Sequence, residues 1–583
     1  MKKAFLIVIM VICLLGYGNS QAPTPVEGWP YVINPADFYV YSMPRFAAEG
    51  SQLHLYFNTL AGEVDKFNLD RTFDIGWPVS FDSLMFDPTP VVVDIDHDGR
   101  AEILTSAKMT GDNPYAMCYL FDDDGSVMPG FPFRTRWLLF FNAVDMDSDN
   151  EYEILAYDPR GEVIHCLDRF GNPKPGWPVN FHMPGVEYSV TGGPFIGDLD
   201  LDGNNEYLIS GAWDIFAFRF DGSIQPGFPI HLQEDSTHNF WNNGAPPSMA
   251  DLDGDGYLEI MTSGDNWSPL NPLNFRGFLA IYEHDGTEKP GWPHYFEQLS
   301  ILHTPTPADI NGDREIEIGF QLGQTLNYVD LNFDYLPGFP TSIYAPEGEI
   351  RGSHSDLITV DIDGDGDCEI FTDHNVFYAD SLGHDSVWYY GHSYFFGIDH
   401  LGHDLPGYPI EVGGVYFRMP PTFTLDRTTN RLKMALATEF IMPDWMDSVF
   451  IELYEFSDST GPLDQWPMFG HDNLHTRNYN FIDMVTSAID DEEIILPKSP
   501  VLKQNYPNPF NNSTTIEFLL PKQQFVNLSL YDMLGRRIVV IYNQVMDAGL
   551  HKHRLSMNVP SGIYHYRLST GNTEITKAMT IIK

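Results

Sequence analysis

A nine-residue acidic pattern recurs six times along this chain with its internal spacing unchanged. The first copy is Asp94, Asp96, Asp98 and Glu102, and the second is Asp145, Asp147, Asp149 and Glu153. Asp198, Asp200, Asp202 and Glu206 make the third, and Asp251, Asp253, Asp255 and Glu259 the fourth. The fifth is Asp309, Asn311, Asp313 and Glu317, and the sixth Asp361, Asp363, Asp365 and Glu369. Successive copies start 51, 53, 53, 58 and 52 residues apart. A period of this length marks a repeat architecture, whose units bury their apolar surface against one another. Such an array also accommodates 583 residues, too many for one ordinary core.

Calcium takes six to eight hard oxygen ligands at roughly 2.3–2.6 Å. Side chains at positions one, three and five of a tight loop converge on one ion. A backbone carbonyl at position seven and the carboxylate at position nine close the shell. Position seven is Arg100, Glu151, Asn204, Tyr257, Glu315 and Asp367 in the six copies. Without a cation, four acids in nine residues repel one another. A polar surface turn rich in Asp explains one copy, but not six with fixed spacing. An EF-hand is excluded, because it needs Glu at position twelve and flanking helices. Position twelve here is Thr105, Ala156, Ile209, Thr262, Phe320 and Thr372, and the flanks read as strands, as in Val91-Val92-Val93. About six structural Ca2+ sites on β-hairpins are therefore expected, and no other cofactor. Such sites explain the acidity, 81 acidic against 32 basic residues for a net charge of −49. That charge also excludes duplex nucleic acid, whose phosphates need clustered Lys and Arg.

A second mark runs out of phase with the first. Gly-aromatic-Pro begins at Gly28, Gly76, Gly130, Gly176, Gly227, Gly291, Gly338 and Gly407, and Gln465-Trp466-Pro467 ends the series. Pro confines a strand to a sheet edge, so each unit closes on an outer edge strand. A unit of four strands and 45–60 residues is a propeller blade. Units start near Pro44, Pro88, Asn142, Pro194, Pro246, Pro305, Ser355 and Pro420. The expected fold is an all-β, calcium-binding β-propeller of eight blades, with seven as the alternative, followed by a small C-terminal β-sandwich. The first and last units lack the acidic pattern, Asp426 being a remnant. They are expected to meet, the Gly28-Trp29-Pro30 strand joining the last blade.

Residues 1–22 read as a signal peptide. Lys2 and Lys3 precede an apolar run, and Ser20 and Ala22 set a cleavage site. No later stretch is apolar enough to span a membrane. The propeller is placed at 23–479, a linker at 480–500 and the β-module at 501–583. Cys118, Cys166 and Cys368 form no disulfide framework. They read as small buried residues, with a Cys118–Cys166 pair left open.

In the last segment, Asn505-Tyr506-Pro507-Asn508-Pro509-Phe510, Leu530-Tyr531-Asp532-Met533-Leu534-Gly535-Arg536 and Ser561-Gly562-Ile563-Tyr564-His565-Tyr566-Arg567 resemble the type A sorting domain of the type IX secretion system. The resemblance implies a diderm bacterium of the Bacteroidota kind. It also implies export by the type IX machinery, leaving the protein secreted or attached to the outer surface. The acidic loops resemble those of the FG-GAP/VCBS repeat family, which implies calcium at the positions above and no particular ligand.

No nucleophile–base pair or phosphate-binding loop stands out. His471, Asp472 and His475 sit where the array closes and read as structural. The long returns from edge strand to next blade are the better candidates for a ligand surface. They carry Trp137, Tyr188, His238, Trp241, His303, Arg351, His354, Tyr416 and Arg418. Aromatic faces with a few polar groups suit sugar rings or peptides. A non-catalytic binding or adhesion module for a glycan or protein is the leading reading. The rival is a secreted polysaccharide-degrading enzyme, because one family of rhamnogalacturonan lyases resembles this array in being a calcium-bearing eight-bladed propeller.

Overall fold

The computed structural model describes most of residues 23–456 and 500–581, the larger omissions being 34–42, 110–114, 136–139, 181–193, 240–245, 267–275, 344–355, 381–387, 414–419, 441–447 and 503–512. The signal segment, the linker and the His471–His475 cluster lie outside the described residues. The chain divides into two compact units, Met1–Thr486 and Ser487–Lys583.

The first unit is all β. Among the described residues it holds six four-stranded and two five-stranded antiparallel sheets, plus one two-stranded ribbon. We number the eight larger sheets by the position of their first long hairpin. The second sheet shows why the sequence folds this way. Val91–Val93 runs into the Asp94 loop, and Glu102–Met109 follows. Ala116–Phe121 pairs with that strand, and the short edge strand Phe133–Thr135 closes the sheet. Alternate residues point to opposite faces. Val92 and Ile103 pack toward the first sheet, while Val91, Val93 and Leu104 pack toward the third. Both faces are covered, so the strand reads as an unbroken apolar run.

The same sharing repeats along the array. Each of seven cores is built from two successive sheets. An eighth joins Ala435, Ala437, Ile451 and Leu453 of the eighth sheet to Phe46, Leu55, Phe57 and Phe67 of the first. The N-terminal strands Thr24–Pro25 and Tyr31–Ile33 pair with Ser448–Glu455, the third strand of the eighth sheet. The Thr422 hydroxyl donates to the Pro44 carbonyl at 2.9 Å across the same junction.

The Gly-aromatic-Pro marks are the joints between sheets. All eight aromatic–Pro bonds are cis. Pro stands just ahead of the edge strand rather than within it, as in Pro132 before Phe133–Thr135. The indole N–H groups of Trp29, Trp77, Trp177 and Trp292 donate to Leu69, Asp123, Phe220 and Leu331 carbonyls in the next sheet's turn. Gly76 has φ of 99°, and a Cβ there would stand 1.9 Å from the Asp124 carbonyl oxygen. Only glycine meets both demands.

The insertion at His374–Phe396 lengthens one hairpin, Glu369–Asp380 against Trp388–Ile398. Cys118, Cys166 and Cys368 are free and buried, so no Cys118–Cys166 bond forms.

The second unit pairs a three-stranded sheet with a four-stranded one. Ile516, Phe518 and Leu555 of the first share a core with Val526, Leu528 and Tyr566 of the second. The strands Val501–Leu502, Ser513–Leu520 and Gly549–Ser556 make the three-stranded sheet, and Gln524–Tyr531, Arg537–Met546, Gly562–Thr570 and Thr573–Ile581 the four-stranded one.

Candidate metal centres

In the second through seventh sheets each acidic pattern joins a short strand to the longer strand that pairs with it, and in the second sheet the additional strand Leu84–Phe86 precedes that hairpin. Position one folds the loop. Asp94 accepts the N–H of Asp98 on Oδ1 at 3.0 Å and that of Gly99 on Oδ2 at 2.9 Å. Asp145, Asp198 and Asp309 repeat both bonds. Asp251 and Asp361 accept from Gly256 and Gly366, each at 3.1 Å. Position five caps the next turn. Oδ1 of Asp98, Asp149, Asp202, Asp255, Asp313 and Asp365 accepts the backbone N–H of Arg100, Glu151, Asn204, Tyr257, Glu315 and Asp367, at 2.8–3.0 Å. Position nine ties the loop to its base. Oε2 of Glu102, Glu153, Glu206, Glu259, Glu317 and Glu369 accepts the N–H of position two at 2.7–2.9 Å.

A backbone regularity completes the loop, and its half at position four was not anticipated from sequence. Positions four and six have positive φ in all six copies: His97 and Gly99, Ser148 and Asn150, Leu201 and Gly203, Gly254 and Gly256, Gly312 and Arg314, Gly364 and Gly366. Glycine at position four in the last three copies was the available signal.

The side chains converge. Asp94, Asp96 and Glu102 each place an oxygen within 4.8 Å of the others, as do the same positions of the Asp145 and Asp198 loops. In the Asp251 loop the converging set is Asp251, Asp253 and Asp255. Oδ1 of Asp147 and of Asp200 are buried and receive no hydrogen bond among the described residues. A buried carboxylate oxygen without a donor carries a large desolvation penalty. Burial accordingly pushes the position-nine carboxyls upward, to about 9 for Glu102, about 8 for Glu206, Glu317 and Glu369, and about 7 for Glu153 and Glu259. Asp198 is raised by burial to about 6. An all-oxygen, converging and underbonded set suits a hard divalent cation.

Neighbouring loops also touch. The Asn205 side-chain amide donates to the Asp145 carbonyl at 2.8 Å, and the Asn205 N–H donates to Met146 at 3.0 Å. The Cys368 N–H donates to the Ile310 carbonyl at 2.9 Å.

The candidate ligand surface is described in small part. Trp137, Tyr188, Trp241, Arg351, His354, Tyr416 and Arg418 lie outside the described residues. His238 belongs to a two-residue strand paired with Gln233–Asp235. His303 is half-buried, its carbonyl accepts the Ser263 hydroxyl, and its Nδ1 stands 3.8 Å from Asp356.

Comparison with known proteins places one part of the chain. Residues 504–583 match the family of secretion system C-terminal sorting domains. The protein is therefore a type IX secretion cargo, secreted or attached to the outer surface of a diderm bacterium. No curated protein matches the chain. Among solved structures, the biofilm matrix protein Bap1 of V. cholerae is similar at 12% identity, with a TM-score of 0.31, over 96% of this chain and 81% of that one. A fructofuranosidase from Schwanniomyces occidentalis is similar at 12% identity, with a TM-score of 0.24, over 74% of this chain and 95% of that one. At those scores neither likeness carries an argument here. Among the described residues no helix is long and apolar enough to cross a membrane.

Proposed function

We propose that residues 23–479 form an eight-bladed, calcium-stapled β-propeller of the FG-GAP/VCBS kind that serves outside the cell as a non-catalytic binding module for a glycan or a protein. One observation carries the reading. All six acidic loops close the hairpin between a short strand and the longer strand that follows it, so in antiparallel sheets they gather at one end. The opposite ends, where each edge strand returns to the next sheet, are left to vary. Surface loops on a rigid scaffold are where recognition resides. Eight shared cores, the eighth sheet packing on the first, support the blade count. Positions one, three, five and nine would hold calcium, with the position-seven carbonyl. The ion would supply the charge balance that the buried carboxylates need.

The test is a glycan array probed with the full chain in calcium, beside incubation with pectic polysaccharides. Retention on the array without ultraviolet absorbance from unsaturated sugar ends is expected. Formation of that product would replace the binding reading with a lyase.

A further inference from the structure

One position decides what faces each acidic site from the side. It lies two residues before the glycine of Gly-aromatic-Pro, and its N–H bonds back to the third strand. From the second sheet to the seventh it is Met128, Lys174, Gln225, Lys289, Leu336 and Leu405. The two lysines reach into their loops. Lys174 Nζ stands 2.5 Å from Glu153 Oε1 and 3.8 Å from Asp147 Oδ2. Lys289 Nζ stands 3.0 Å from Glu259 Oε1, 3.0 Å from Asp253 Oδ2 and 3.1 Å from Glu283 Oε1, and the side chain is only 8% exposed. Met128, Leu336 and Leu405 offer the Asp94, Asp309 and Asp361 loops no charge. In the Asp198 loop, Gln225 Nε2 and Arg219 Nη2 reach only Asp200 Oδ2, at 3.0 and 2.9 Å, and not Glu206.

The sheets without an acidic loop show what a lysine beside such acids accomplishes, reaching them from another position. In the first sheet, Lys66, 1% exposed, lies 2.6 Å from Glu49 Oε1 and 3.7 Å from Asp74 Oδ2. Asp74 occupies the same position before its glycine, Gly76. The Glu49–His54–Asp74 group thus already holds its cation. In the eighth sheet, Lys433 pairs with Glu455 and Asp426.

We propose that the six loops fall into two classes. The Asp145 and Asp251 loops carry a tethered ammonium at the position-nine glutamate and bind calcium weakly. The Asp94, Asp198, Asp309 and Asp361 loops carry none there and bind it tightly. The inference rests on the calcium reading above. A divalent ion entering a lysine-bearing loop must displace an ammonium already neutralising the carboxylates, and two cations sharing one glutamate repel.

Calcium titration of the chelator-stripped full chain, by calorimetry and equilibrium dialysis, is the experiment. Four tight sites and two about tenfold weaker or more are expected. K174M combined with K289M should raise the tight class to six. M128K should lower it to three. Six equivalent sites in the natural chain would overturn the two classes while leaving calcium in place, as would an unchanged count of four in the folded double variant. If that variant does not fold, the natural chain and M128K still decide. Absence of any calcium binding would remove the underlying reading as well.

Discussion

The first and eighth sheets set a lysine of their own against their acids, and among the described residues only the acidic loops of the third and fifth sheets, of the six between them, do so at the position-nine glutamate, through Lys174 and Lys289. In the first sheet a two-residue turn follows Glu49, leaving no room for a nine-residue loop, and Lys66 arrives from the third strand. In the eighth a short turn follows Asp426, and Lys433 arrives from the second strand. In the intervening sheets the turn becomes the acidic loop, and its buried glutamate is 4% exposed or less. A buried carboxylate needs a positive partner, either covalently tethered or taken from solution. A tethered partner makes stability unconditional. A partner taken from solution makes it depend on the surroundings.

Removing the dissolved cation tests that contrast most severely. An ion at a hundredfold its dissociation constant stabilises by about 2.7 kcal/mol, and several such sites act on one array. Chelator should lower the melting temperature by about 10 °C or more. An unchanged melting curve after verified metal removal would break the contrast.

Next in size is a substitution on the tethered side. K66M leaves Glu49 and Asp74 without their ammonium and should destabilise by about 3 kcal/mol. The loss should be equal with calcium and with chelator. D361A should instead cost more in calcium than in chelator, where only the loop hydrogen bonds from Gly364 and Gly366 are lost. Equal calcium dependence of the two variants would erase the distinction between the sheets.

The pH profile sharpens the comparison further. Burial raises Glu102 to about 9, and Glu206, Glu317 and Glu369 to about 8, from an ordinary 4.5. A carboxyl raised on folding contributes stability that is fully present below its unfolded value and lost as pH rises through the folded one. The metal-free chain should therefore weaken steadily between pH 5.5 and 8.5. In calcium the ionised carboxylates are matched, and the decline should vanish. A flat profile in chelator would show that these groups are not buried acids awaiting a cation.

Much of this was legible in the sequence because the repeat multiplies weak signals. One Asp-rich turn is ambiguous, but six with Glu at a fixed offset locate the loops, and eight Gly-aromatic-Pro marks locate the sheets. What stayed hidden depends on long-range placement. Lys174 is 21 residues from Glu153, and Lys289 is 30 from Glu259, so neither reads as a partner until the hairpins fold. The converse holds for the ligand face proposed above. Its aromatic and basic residues stand on long, dissimilar returns, where no repeat averages the signal.

The smallest effect tests the loop backbone itself. Leu201 occupies position four of the Asp198 loop with φ of 56°, where the last three loops have glycine. Its side chain is half exposed, so little packing is lost on removal. A branched residue in the left-handed region costs about 1–2 kcal/mol, and glycine's greater freedom in the unfolded chain returns up to about 1 kcal/mol of that gain. L201G should therefore stabilise by roughly 0.5–1 kcal/mol. The gain should persist in chelator, because it relieves strain in the turn and not charge at the ion. A gain seen only in calcium would mean instead that position four acts through the shape of the site.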